Sequence, residues 1–198
     1  MTRLEVWGDP IEHSRSPQLH AAAYRVLALD WSYGRRRVDE ASFASTLSEL
    51  DDEYRGLSLT MPLKAAAFAA AASRDRHAEL TGAVNTLLLG AGGPHGFNTD
   101  AGGLVRDLRE QGVADAATAR IVGAGATATS ALVALAELGV TEVRVAARRR
   151  APAAALAGLG ERVGVAVRIE EMDALAHPAV DVTIATLPRG AAPDPAAA

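Results

Sequence analysis

The chain has 198 residues, 49% of them hydrophobic and 4% aromatic, with a formal net charge of −4. That is enough apolar material for one large or two small domains, while the acidic balance and the scarcity of aromatics argue against a nucleic-acid surface, an acidic-membrane surface or a base-stacking platform. Cysteine is absent, which excludes disulfides, thiol catalysis and cysteine metal sites and fits a cytoplasmic protein.

Leu4 to Trp7 reads as a short strand ending at the turn Gly8-Asp9-Pro10. It starts within a few residues of the N-terminus, so no signal peptide is expected, and no apolar run reaches the ~18 residues that a membrane helix needs. Ser16 and Pro17 read as N-cap and first residue of a helix running from Gln18 to about Leu29, with Leu19, Ala22, Ala23, Val26 and Leu27 on its apolar face. Trp31 to Val38 is a second strand, and its run Arg35-Arg36-Arg37 marks an edge or a solvated end. A helix follows from about Glu40 to Leu50. Leu57 to Leu59 is a buried strand that runs into a helix, with Pro62 at its first position and Ala65 to Ala72 as its body. Ala83 to Leu89 reads as a strand carrying Asn85, Gly90 to Gly96 as a hairpin turn, and Ala101 to Gln111 as a helix. The alternation of strand and helix argues for α/β architecture with a mainly parallel sheet. It restarts with a strand at Ala119 to Val122, a helix to about Leu138, a strand at Glu142 to Ala147, a helix at Pro152 to Leu159, and strands at Val165 to Ile169 and Asp181 to Ala185.

Lys64 is the only lysine; every other basic side chain apart from histidine is arginine. It falls in the first turn of its helix, where the macrodipole disfavours a cation. Arginine cannot release a proton at useful pH and a desolvated lysine can, so this position suits an acid or base; a snorkelling surface lysine is the plain structural alternative. Gly123-x-Gly125-x-x-Ala128 sits between a strand and a helix. The first glycine allows the tight turn, the second lets a pyrophosphate approach the backbone, and the small third residue lets helix pack on strand, with the helix N-terminus facing the phosphates. Gly123, Ala124, Gly125, Ala126, Thr127 and Ala128 are therefore the candidate diphosphate turn. An NAD-selective fold places an acid at the end of the next strand; here Arg148-Arg149-Arg150 stands there, which favours the 2′-phosphate of NADP, or is a solvated strand end. Asp100 is either an ordinary helix cap, as Asn98 and Thr99 also are, or a functional carboxylate. Ser14 and Ser16 face one side of an extended segment beside a helix start and suit a carboxylate, although capping alone explains Ser16. Asn85 is a satisfied core amide or a ligand contact. No acidic or histidine cluster has metal-ligand spacing.

Taken together, Gly8-Asp9-Pro10-Ile11 with His13-Ser14-Arg15-Ser16-Pro17, then Thr60-Met61-Pro62-Leu63-Lys64, Gly82-Ala83-Val84-Asn85-Thr86, Asn98-Thr99-Asp100 and the Gly123 turn resemble the shikimate dehydrogenase family, which includes the quinate/shikimate dehydrogenases. The resemblance spans essentially the whole chain. It implies reversible NADP-dependent reduction of 3-dehydroshikimate to shikimate in aromatic amino-acid biosynthesis. It implies an α/β fold of two domains, a substrate domain over residues 1–100 and a Rossmann-like cofactor domain over 101–198, with the site in the cleft between them. Carried over by position, Ser14 and Ser16 hold the substrate carboxylate, Thr60, Asn85 and Asp100 hold ring hydroxyls, and Lys64 and Asp100 form the catalytic pair. Arg148, with Arg149 beside it, meets the 2′-phosphate. Two departures stand out. Ala147 occupies the place of the family's asparagine before that arginine. The family's second half also continues beyond residue 198, with further strands, a glutamine that touches substrate and helices that pack back on the first domain, so the resemblance implies a chain incomplete at its C-terminus. A quinate/shikimate dehydrogenase using NAD, or a non-catalytic binder of shikimate or NADP, are the alternatives. The expected partner is shikimate or 3-dehydroshikimate, not nucleic acid or membrane, in a monomer or homodimer.

Overall fold

The computed structural model describes residues 1–113, 115–172 and 179–187. The chain divides into two compact units, Met1–Thr99 and Asp100–Ala198.

The first unit is built on a six-stranded sheet. In chain order its elements are β1 (Thr2–Gly8), α1 (Ser16–Val26), β2 (Trp31–Arg37), α2 (Glu40–Ser48), β3 (Tyr54–Leu59), α3 (Lys64–Ala70), β4 (Ser73–Arg74), α4 (Arg76–Thr81), β5 (Thr86–Leu88) and β6 (His95–Phe97). The strand order is β2-β1-β3-β5-β6-β4; β1 runs parallel to β2 and β3, and β3, β5 and β6 pair antiparallel. Trp7, Leu57, Leu59, Leu63, Val84 and Leu87 are buried in one cluster with Phe43 of α2, whose ring meets Trp7 edge-on at 6.1 Å. Burying side chains of this size contributes about 1.5–3 kcal/mol each and sets the register of β1 and β3, because a one-residue slip would turn Trp7 and Leu57 outward.

β2 is an edge strand, as its arginines suggest. Arg36 reaches across β1 to Glu5 (Nε–Oε2 2.9 Å) and to the Tyr54 hydroxyl (2.8 Å), and Arg37 pairs with Asp9 at 2.7 Å. Three cations along an open edge also oppose strand-to-strand association.

Several expectations change here. α1 starts at Ser16 with Arg15 as N-cap, and no side chain caps it, so Ser16 is not a cap. The helix ends at Val26, and its apolar stripe is on the outside: Leu19, Val26 and Leu27 are 68%, 86% and 64% exposed. The helix instead docks by its rings. Tyr24 is buried edge-on to Trp31 at 5.5 Å, and His20 stacks on Tyr33 at 4.0 Å. Two rings one turn apart offer more contact area than the aliphatic stripe. α3 starts at Lys64, so Pro62 is not its first residue; Pro62 lies in the preceding turn, closed by the Leu63 N–H on the Thr60 carbonyl at 2.8 Å. Asn85 precedes β5 rather than sitting inside a strand, although its backbone continues the ladder, accepting from Leu59 N–H (2.7 Å) and donating to the Phe97 carbonyl (3.0 Å). The short β4 and α4 have no counterpart in the sequence reading. Asp75 caps α4 by accepting from the Ala78 N–H at 2.7 Å.

The second unit contains α5 (Thr99–Glu110), which starts in the first, then β7 (Thr118–Val122), α6 (Ala126–Glu137), β8 (Glu142–Ala146), α7 (Arg150–Val163), β9 (Ala166–Glu170) and β10 (Val182–Ala185). The four strands among its described residues are all parallel, in the order β10-β7-β8-β9. Ala119, Ile121, Val143 and Val145 are fully buried, as are Ala128, Leu132 and Leu135 of α6 and Ala153 of α7. Alternate strand positions carry charge instead: Arg120, Arg144 and Arg168 stand side by side in register. Glu170 takes Arg144 at 2.9 Å and Arg120 at 3.6 Å, and Glu142 takes Arg144 at 3.1 Å and Arg168 at 3.5 Å. Among the described residues no helix is long and apolar enough to cross a membrane.

Candidate active site

In the first unit the expected substrate residues gather at one end of the sheet, where β1 and β3 finish and β5 begins. Gly8 ends β1 against Thr60; a Cβ on Gly8 would stand 2.5 Å from Thr60 Cγ2 and 2.9 Å from the Met61 carbonyl, so glycine is required by the close approach. Thr60 N–H bonds the Trp7 carbonyl at 2.9 Å, and Asp9 N–H bonds Met61 O at 2.9 Å. These bonds tie the segment leading to Lys64 onto the end of β1. Lys64 is half-buried at the start of α3, and its carbonyl accepts from Val84 N–H at 3.0 Å, next to Asn85.

Asn85 is buried, and its side chain is turned towards α5. Its Nδ2 donates to Thr99 Oγ1 at 3.0 Å, its Oδ1 accepts the Thr99 backbone N–H at 3.1 Å, and Thr86 Oγ1 donates to that same Oδ1 at 3.0 Å. The bond from the Thr99 N–H satisfies one of the orphan donors at the start of α5, which begins two residues earlier than the expected Ala101. Asn98 is fully buried and donates to Thr81 Oγ1 (2.8 Å) and the Ala83 carbonyl (3.2 Å). Asp100 is half-buried in the first turn of α5, where the dipole favours a carboxylate.

Ser14 and Ser16 follow β1. Ser14 Oγ accepts from Ser16 N–H at 3.4 Å, and Arg35 of β2 holds the carbonyls of Glu12 and Ser14. Tyr33 is a residue that sequence reasoning passed over. Its hydroxyl donates to Ser58 Oγ at 2.7 Å and has the Ser16 side chain as a further partner. Burial pushes its phenol above the ordinary value, with the hydroxyl contacts pulling the other way. An aromatic hydroxyl on an edge strand carries no signal of its own. Only the parallel pairing of β2 on β1, with β3 on the other side of β1, brings it to the serines.

In the second unit the Gly123 turn joins β7 to α6. Gly123 is buried at φ +114°, and Ala128 is fully buried against the sheet, while Gly125, Ala126 and Thr127 between them are exposed. A Cβ at Gly125 would meet nothing within 4 Å, so the turn is open on that side. Gly125 is the N-cap of α6 and has no side-chain cap, which leaves the first N–H groups of a twelve-residue helix available to an anion. Arg148 and Arg149 are exposed between β8 and α7, Arg149 as the helix N-cap; Arg150 is the first helical residue and makes a surface pair with Glu171 at 3.5 Å. The donor set, with a glycine turn, a free helix start and two exposed arginines at the next strand end, fits a phosphorylated dinucleotide. Among the described residues no group of histidines or acids could hold a metal ion.

Residues 6–87 match the family model for the shikimate dehydrogenase substrate binding domain. The chain also aligns with a shikimate dehydrogenase (NADP(+)) of Methylobacterium radiotolerans, 40% identical over 179 residues, covering 87% of this chain and 64% of the relative. It superposes on the crystal structure of Mycobacterium tuberculosis shikimate dehydrogenase with TM-score 0.87 and 42% identity, covering 95% of this chain and 72% of that one. The chain belongs to the shikimate dehydrogenase family. The fold is accordingly α/β with a Rossmann-like second unit, as in the shikimate 5-dehydrogenase of Thermus thermophilus solved with NADP(H) and shikimate, at TM-score 0.76 and 37% identity over 85% of this chain and 63% of that one. The chain spans a little under two thirds of the Methylobacterium relative's length.

Proposed function

We propose that the protein is an NADP-dependent shikimate dehydrogenase, interconverting 3-dehydroshikimate and shikimate in aromatic amino-acid biosynthesis. The observation that carries this reading is the gathering of Ser14, Ser16, Thr60, Lys64 and Asn85 at one end of one sheet, with the sole lysine opening α3 there. The relative of known complex at 37% identity binds NADP(H) and shikimate, which supports the same ligands here.

In this reading Ser14 and Ser16 receive the substrate carboxylate, with Tyr33 holding the Ser16 side chain in place. Thr60, Asn85 and Asp100 bind ring hydroxyls and fix the ring relative to Lys64. Bound NADPH supplies the hydride that reduces the C3 carbonyl. As negative charge grows on that oxygen, the Lys64 ammonium stabilises it and delivers a proton from Nζ. Asp100 is the second member of the catalytic pair. Arg148 and Arg149 grip the 2′-phosphate, and the Gly123 turn receives the diphosphate. The substrate domain is the first unit and the cofactor domain the second.

A turnover assay of the full-length protein with shikimate and with quinate, each with NADP and NAD, tests the reading. The expected result is strong preference for shikimate with NADP. Preference for quinate with NAD would make it a quinate/shikimate dehydrogenase, and binding without turnover would make it a sensor.

A further inference from the structure

We infer that Thr186, just past β10, is a positioning residue for the diphosphate-binding turn; the inference rests on the dinucleotide reading above. The chain runs from β7 outward to β8 and β9, then returns to place β10 on the opposite side of β7. The strand order therefore reverses between β7 and β10, and ligands of open α/β sheets sit outside the carboxyl ends of the strands at such a point. Two segments meet there, the Gly123 turn after β7 and Thr186 after β10.

Thr186 donates twice to one acceptor. Its backbone N–H reaches the Val122 carbonyl at 2.8 Å, and its hydroxyl reaches the same oxygen at 3.0 Å. From the other side, Gly123 N–H donates to the Ala146 carbonyl at the end of β8 at 2.8 Å. The peptide that opens the turn is thus held by both neighbouring strands. Gly123 lies at φ +114°, where glycine is strongly favoured, and a Cβ there would run into Thr186 Oγ1 and come 3.4 Å from Leu187 Cδ2. Thr186 fills the space that the glycine leaves. The contrast with Gly125, open to 4 Å, gives the turn a closed side towards β10 and an open side for the ligand. The β-branched side chain has few χ1 choices, which keeps its hydroxyl aimed at Val122. The Thr186 hydroxyl holds the plane of the Val122–Gly123 peptide, so the N–H groups that follow are set before a diphosphate arrives.

The test compares Thr186→Val and Thr186→Ser with wild type in the full-length protein. NADP, NAD and shikimate binding are measured by calorimetry, and amide hydrogen exchange is followed at residues 123–128 without ligand. One hydrogen bond lost from the clamp predicts that the valine variant binds NADP and NAD more weakly by a common factor of about 3- to 10-fold, since both carry the diphosphate. Exchange across the turn should quicken, and shikimate affinity should stay as in wild type. The serine variant, which keeps the hydroxyl, should retain dinucleotide affinity. Should the valine variant fail to fold, Thr186→Ala carries the same expectation. Wild-type affinity and exchange in the valine variant would overturn the assignment, as would a loss confined to NADP, or a serine variant as weak as the valine one. A wild type that binds neither dinucleotide would instead bring down the dinucleotide reading itself.

Discussion

The Asn85 side chain holds Thr99 through both ends of its amide, donating to the hydroxyl at 3.0 Å and accepting the backbone N–H at 3.1 Å. One buried amide thereby fixes the start of the helix whose next residue is Asp100. Asn85→Ala removes both bonds and leaves Thr99 to find water. The expected cost is about 1–3 kcal/mol of stability, read from the denaturant midpoint. Turnover should fall further than occupancy of the folded state explains, because the first turn of α5 loosens. Unchanged stability and turnover would show Asn85 to be an incidental contact.

Tyr33→Phe removes the hydroxyl that joins Ser58 to Ser16. With Ser14 and Ser16 holding the substrate carboxylate and Lys64 giving the proton, as proposed, the expected effect is a higher KM for shikimate with kcat little changed. A pH effect accompanies it. Burial raises the folded-state pKa of Tyr33, so its contribution to stability is full below the unfolded value of about 10 and is lost as pH rises through the folded value. The phenylalanine variant should therefore lose less stability than wild type on the alkaline side. Parallel alkaline curves for the two proteins would contradict the buried-phenol account.

Arg148→Ala should raise the KM for NADP by roughly ten- to a hundred-fold and leave that for NAD nearly unchanged, the scale of one charge-assisted contact. Arg148 is exposed, so the preference should also weaken as salt rises. A variant with unaltered preference would make the arginines a solvated strand end.

The strand–turn–helix at Gly123 was legible because glycine spacing, flanking apolar runs and the missing acid after β8 all agree. Lys64 stood out because the chain has no other lysine. The edge position of β2 was legible from its three arginines. What the sequence hid were matters of tertiary contact. The stripe Leu19, Val26 and Leu27 has helical period but faces outward, because His20 and Tyr24 offer rings to Tyr33 and Trp31. Periodicity says that a helix has two faces and does not say which one the core takes. Tyr33, Thr186 and the Asn85–Thr99 clasp depend on partners 14 to 64 residues away in sequence. The arginine–glutamate ladder of the second sheet could be read only once β7, β8 and β9 were in register.

Asp181 ties the start of β10 to the start of β7, accepting from the Ala117 N–H (2.9 Å), the Thr118 N–H (2.8 Å) and the Thr118 hydroxyl (2.9 Å). These bonds, those from Thr118 first, hold its carboxyl below the ordinary carboxylate value. A depressed pKa contributes stability that is present above the unfolded value of about 3.9 and is lost as pH falls through the folded one. Asp181→Asn should destabilise the protein at neutral pH and flatten the acid limb of its stability–pH curve. An acid limb as steep as that of wild type would place the acid sensitivity elsewhere.

Comparing Lys64→Arg with wild type in the full-length protein tests whether Lys64 is the proton donor, with kcat for shikimate oxidation and shikimate binding measured separately. Arginine keeps the charge and loses the compact donor that can give up a proton. The expected result is that kcat falls by about 10²- to 10⁴-fold while shikimate affinity changes far less. An arginine variant that turns over at the wild-type rate would contradict it, and would leave Lys64 a structural cation at the start of α3.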